Sequence, residues 1–146
     1  MRLLKFLASI ALLTGCAAQA DSEVTITDWV AKTEQCIAMF NESKASFPKD
    51  TWFDSLPIEQ KRGVVFYLYQ EKLFGCSKQE SDALMASLTQ SNNKTLIKFF
   101  KGLGTFEKPD PKFIKDIDTD QLKKLSSNVM AFNLVNVSKE LNFLSQ

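Results

Sequence analysis

Histidine is absent from all 146 residues of the chain. Without an imidazole there is no serine–histidine or cysteine–histidine nucleophile, and most zinc hydrolases lose their ligands. Cysteine is scarce: there are three, and neither Cys36 nor Cys76 has a third or fourth near it, which argues against a zinc site. Charge of one sign is not in surplus, with 18 Lys and Arg against 17 Asp and Glu, so nothing global points to nucleic acid. No apolar run reaches the about 20 residues that cross a bilayer core as a helix. Clean period-two alternation is missing, and so is any repeat of about 20 to 50 residues, which leaves an all-α domain as the expected class. Among enzyme mechanisms, two-carboxylate catalysis survives these exclusions, because it needs no histidine.

What is present begins at the amino terminus. Arg2 and Lys5 form a short positive region, and Phe6 to Leu13 form an apolar stretch interrupted by Ser9, the pattern of a signal peptide. Directly after it, Leu13-Thr14-Gly15-Cys16 resembles the lipobox of bacterial lipoproteins, where a hydrophobic residue and two small ones precede a cysteine that is acylated before the signal is cut off in front of it. The resemblance implies a signal peptide at 1–15, a lipid on Cys16, and a short tether at 16–24 leading to a single domain at 25–146. Ala17 stands where Asp would mark inner-membrane retention, so the implied address is the periplasmic leaflet of the outer membrane. Three acyl chains would make that anchor strong, since each buried methylene contributes about 0.8 kcal/mol. A competing signal overlaps the first. Ala18-Gln19-Ala20 followed by Asp21 reads as an ordinary small-x-small cleavage site, which would release a soluble periplasmic or secreted protein. The position of Cys16, immediately after the apolar stretch, favours the lipoprotein.

Cutting before Cys16 leaves 18 − 2 = 16 basic residues against 17 acidic ones, a net charge of −1. The mature chain is of single-domain size, and 45% hydrophobic residues with twelve Phe supply a core. Cys36 and Cys76 are an even pair in a compartment that permits oxidation, so a disulfide is expected, with two buried free thiols as the alternative. In a plain hairpin of the first two long helices the two cysteines would lie at opposite ends. A bond therefore requires the connection at 43–56 to run alongside a helix.

The periodicity predicts an irregular bundle of four to five helices. Ile26, Trp29, Val30, Thr33, Ile37 and Phe40 recur at three- and four-residue steps, the period of an amphipathic helix, with Thr27 as its expected cap. After a connection interrupted by Pro48, Pro57 opens a helix that runs to Phe74 through Val64-Val65-Phe66-Tyr67-Leu68-Tyr69. That run also suits a strand by composition, but its length argues for a buried helix. Gly75 suits a left-handed helix end, and Ser77-Lys78-Gln79-Glu80 reads as a capping box for a third helix carrying Ala83, Leu84 and Leu88. A fourth, from about Asn93, carries Leu96, Ile97, Phe99, Phe100 and Leu103. Gly102, Gly104, Pro109 and Pro111 mark a loop. A last helix from Thr119 shows Leu122, Leu125, Val129, Phe132, Val137, Leu141 and Leu144 as a core-facing stripe.

Three groups of residues are candidates for function. Asp50 with Asp54, and Asp116 with Asp118 and Asp120, read as solvated loop charge and as helix capping rather than as acid–base pairs, and the second group lacks the glycine and distal glutamate of a calcium loop. Lys94, Lys98 and Lys101 fall along one side of the fourth helix, either as a solvated face or as a contact for an anionic partner or lipid headgroups. Phe47, Trp52 and Phe53 either plug the open end of the bundle or anchor a partner. The expected function is non-enzymatic: a lipid-anchored protein-binding or chaperone-like envelope factor, of the general size and class of the pilot lipoproteins that escort secretion channels, with no cofactor and no metal. The alternative is a periplasmic immunity protein or inhibitor that neutralises a secreted toxin or enzyme, and a carboxylate-dependent hydrolase stands third.

Overall fold

The run Val64 to Tyr69, whose composition also suits a strand, is the middle of a long helix. The computed structural model describes residues 15–143, with side chains from residue 25 onward. The expected signal peptide, the side chain of Cys16 and Leu144 lie outside the described residues. Seven α-helices follow in order: α1 Gly15–Glu42, α2 Thr51–Ser55, α3 Ile58–Cys76, α4 Lys78–Gln90, α5 Lys94–Gly102, α6 Thr119–Asn128 and α7 Leu134–Glu140, with a 3₁₀ turn at Pro111–Ile114. The class is all-α, with no strand among the described residues.

Side-chain caps set many of the boundaries. Asp50, Asn93, Asp118 and Asn133 each accept a backbone N–H from the first turn of α2, α5, α6 and α7, at 2.9 to 3.1 Å. Such caps typically contribute about 1 kcal/mol each. Several expected boundaries move. Thr27 lies inside α1 rather than at its start, because the helix already begins at Gly15. Gly75 is helical, and α3 runs through Cys76 to a joint at Ser77, which has a negative φ and makes no side-chain cap bond, so the capping box does not form. The expected last helix is two: Val129 to Asn133 is extended between α6 and α7. Ser43 Oγ donates to Ala131 O, and Asn133 Nδ2 to Asn41 O, both at 2.7 Å, so this extended backbone docks on the end of α1 and the loop beyond it.

The apolar interior forms two clusters. The larger gathers Phe47 and Phe53 from the 43–56 connection, Val64, Val65 and Leu68 from α3, and the inward residues of α6, α7 and the extended segment. The smaller is Leu84 and Leu88 of α4 with Phe100 of α5, closed by Ile26 and Trp29 of α1. Trp29 holds this second cluster twice: its ring meets Phe100 edge-on at 5.3 Å, and its Nε1 donates to the buried Ser81 Oγ at 3.1 Å.

Between the clusters runs the expected disulfide, Cys36–Cys76, with Cα atoms 6.1 Å apart. The hairpin objection is met by an offset. Four residues beyond Cys36, the ring of Phe40 meets that of Tyr69, seven residues before Cys76, so α1 and α3 run antiparallel. They overlap only by their carboxyl-terminal parts. The amino-terminal half of α3 extends past the end of α1, and the 43–56 connection lies against it through Phe47 and Phe53.

Gly63 fixes how the 3₁₀ turn sits on α3. A Cβ built there would stand 2.2 Å from the backbone oxygen of Phe113, an approach that only glycine permits. On the same face of α3, Phe66 and Phe113 meet edge-on at 4.8 Å.

Two stability outcomes follow. Gly63→Ala lowers unfolding free energy by about 1 to 3 kcal/mol despite the better helix propensity of alanine, because backbone must shift; denaturant titration reads this directly, and a stabilised variant would contradict the close approach. Replacing both Cys36 and Cys76 by Ala, which opens a loop with a sequence separation of 40, costs about 3 to 4 kcal/mol in the same assay.

Candidate functional site

Two of the three aromatic candidates are interior. Phe53 is 1% exposed and Phe47 5%, with their rings 4.8 Å apart and Phe47 edge-on to Phe132 at 5.7 Å. They plug the core, and their role as partner anchors is withdrawn because a partner cannot reach them. Trp52 is half-buried against the same cluster.

The lysines behave differently. Lys94, Lys98 and Lys101 are all exposed on α5, and none makes an ion pair with another described residue. Beside them stand Phe99, 57% exposed, and Leu103, 61% exposed. Both belong to the apolar set of the expected fourth helix, and their exposure has a geometric cause. At about 100° per residue the five apolar positions of this segment spread over roughly 160° of the helix, more than one neighbour covers. Leu96, Ile97 and Phe100 face the second cluster, which leaves Phe99 and Leu103 on an outer shoulder. Val30 and Ile37 of α1, also expected in the buried stripe, are exposed for the same reason: they lie at its edge.

A groove of about 610 Å³ adjoins Leu103, walled by Trp29, Leu73, Phe74 and Phe113, with Lys108 at its lining. Lys112 on the same wall bonds Asp110 at 2.9 Å and holds that carboxyl below the usual carboxylate range. Thr33 Oγ1, which is buried and has no hydrogen-bond partner among the described residues, belongs to a lining residue of this groove.

A second apolar surface lies at the carboxyl-terminal end of α1. Met39 and Met130, 46% and 72% exposed, border a shallow depression with Ala38, Ala45 and Ala131. Sequence reasoning missed it, because Met130 comes to the surface only through the break between α6 and α7.

The carboxylates are structural where their partners are visible. Asp50 and Asp118 cap helices, and Asp116 occupies a turn with φ of 64°. Among the described residues no group of three His, Cys, Asp or Glu could hold a metal ion. On α3, burial and then the charge of Glu71 push the Tyr67 hydroxyl above its ordinary value. Glu71 also accepts a hydrogen bond from Ser126 Oγ, and Lys72 Nζ donates to Ser126 O, which ties α3 to the end of α6.

The division between core and surface aromatics is measurable. Phe53→Ala costs about 3 to 5 kcal/mol in unfolding free energy, and Phe99→Ala costs under about 1 kcal/mol; equal effects would contradict it. No protein-family model matches the chain, and no match to it was found among curated proteins or solved structures.

Proposed function

We propose that this chain is a small envelope lipoprotein, exported, acylated on Cys16 and held at the outer membrane, whose helical domain binds another envelope or secretion-system protein instead of transforming a substrate. The observation that carries the reading is the division of labour among the three cysteines. Cys36 and Cys76 are bonded to each other, as suits an oxidising compartment. The third, Cys16, stands at the last position of Leu13-Thr14-Gly15-Cys16, directly after the apolar stretch of the leader.

Two further features support a binding role. The Met39 and Met130 surface offers flexible, polarisable side chains of the kind that adapt to a partner. No histidine is present to serve the commonest hydrolytic chemistries. Among the described residues no helix is long and apolar enough to cross a membrane, so attachment on this reading is through lipid.

Intact mass spectrometry of the natively expressed protein, before and after reduction, tests this reading. The expected mass is that of a chain beginning at Cys16 with glyceryl and acyl groups attached, gaining two hydrogens on reduction. An unmodified chain beginning at Asp21 would overturn the anchor and move the reading to a soluble periplasmic inhibitor.

A further inference from the structure

We propose that α5 and the turn after it form a membrane-contact surface for anionic phospholipid, so that the domain lies against the bilayer instead of hanging from its anchor. The orientation rests on the lipoprotein reading; the surface itself does not.

The first support is the arrangement of side chains on the outer arc of α5. Lys94, Lys98 and Lys101 occupy one shoulder within about 60°, and Phe99 and Leu103 occupy the other within about 40°. Thr95 and Gly102 lie between them, and every one of these residues is exposed. Ammonium groups on flexible stems beside an exposed ring and a branched alkyl chain suit a headgroup layer, where the cations meet phosphate and the apolar tips enter the acyl boundary. A water-facing helix needs the lysines but gains nothing from an exposed Phe and Leu beside them.

Charge is the second support. Residues 94–108 carry four Lys and one Glu, a net of +3, on a mature chain whose total is −1. The positive charge is gathered on this segment and is not neutralised by ion pairs from the three lysines of α5 to described residues. A polybasic surface of this sort is drawn to an anionic leaflet within about a Debye length.

Position is the third. Phe100 of α5 packs on Trp29, thirteen residues along α1 from Cys16. At 1.5 Å per residue, α5 therefore sits within about 20 Å of helix from the lipidation position. The Met39 and Met130 surface lies on the other side of Trp29 from Cys16, with Met39 ten residues farther along α1.

The test is lysine footprinting of the full mature protein. It is added to preformed vesicles of about 30% phosphatidylglycerol in phosphatidylcholine, or of phosphatidylcholine alone, and treated with a membrane-impermeant acetylating reagent read by peptide mass spectrometry. Lys44, Lys49, Lys123 and Lys124, all exposed, are internal controls. The expected result is labelling of Lys94, Lys98 and Lys101 slowed about threefold or more by the anionic vesicles alone, with controls unchanged and the effect lost at about 0.5 M salt. Phe99→Ser with Leu103→Ser, on exposed positions that leave the fold intact, should abolish most of the protection. Uniform labelling, or full protection persisting in that variant, overturns the proposal. So does protection that appears only with envelope proteins and no lipid, which would make α5 a protein-docking face. An acylated protein with uniform labelling leaves the anchor standing and removes this surface; an unacylated protein with protected lysines does the reverse.

Discussion

The Cys36–Cys76 bond ties α1 to the corner between α3 and α4, where the chain passes from one apolar cluster to the other. One cluster is built on the amino-terminal half of α3 and collects α6, α7 and the aromatic connection; the other joins α4 and α5 to the first turns of α1 that carry described side chains. The chain passes from one to the other at Ser77, a single residue between α3 and α4. Cys76 is the residue before that corner, and Cys36 is buried on the helix that spans both clusters. The bond thus fixes the angle between α1 and the corner, and the smaller cluster inherits its position from it. Three fully packed side chains, Leu84, Leu88 and Phe100, with Trp29 bonded to Ser81, make a thin core to stand alone.

Much of the fold was legible because local signals agreed with the tertiary outcome. Asn93 and the apolar residues after it marked α5, Thr119 marked the start of α6, and the length of the run through Val64 settled α3 as helix. The disulfide was legible from compartment and parity, though the offset that permits it was not. What failed was information held at long range. The break at Val129 to Asn133 is held by bonds to Ser43 and Asn41, 88 and 92 residues away, and nothing in the local pattern of Val129 and Phe132 distinguishes extended backbone from helix when both residues are buried either way. Gly75 and the Ser77 capping box failed because the disulfide and the tight α3–α4 corner keep the backbone helical up to Cys76.

The candidate surfaces show the same division. The lysine stripe needed only helical spacing. Its apolar companions, Phe99 and Leu103, looked like core because hydrophobicity alone cannot say which side of a short helix finds a neighbour. For Phe47 and Phe53 the sequence left plugging and partner anchoring both open, and burial decides for plugging, because their connection covers the amino-terminal half of α3. On the proposed reading the molecule meets lipid through α5 and a partner through Met39 and Met130, with Cys36 of the disulfide falling along α1 between Trp29, on which α5 packs, and Met39.

On this reading the disulfide couples two otherwise separable clusters. Native-state hydrogen exchange in low denaturant, on the oxidised and the reduced full chain, tests it most directly. In the oxidised protein the amides of α4 and α5 should open together with those around Val64 to Leu68, in one cooperative unit. After reduction, α4 and α5 should open at distinctly lower denaturant while α3 keeps its protection. Concerted opening in both redox states would mean that packing alone holds the two clusters together and that the disulfide does not couple them.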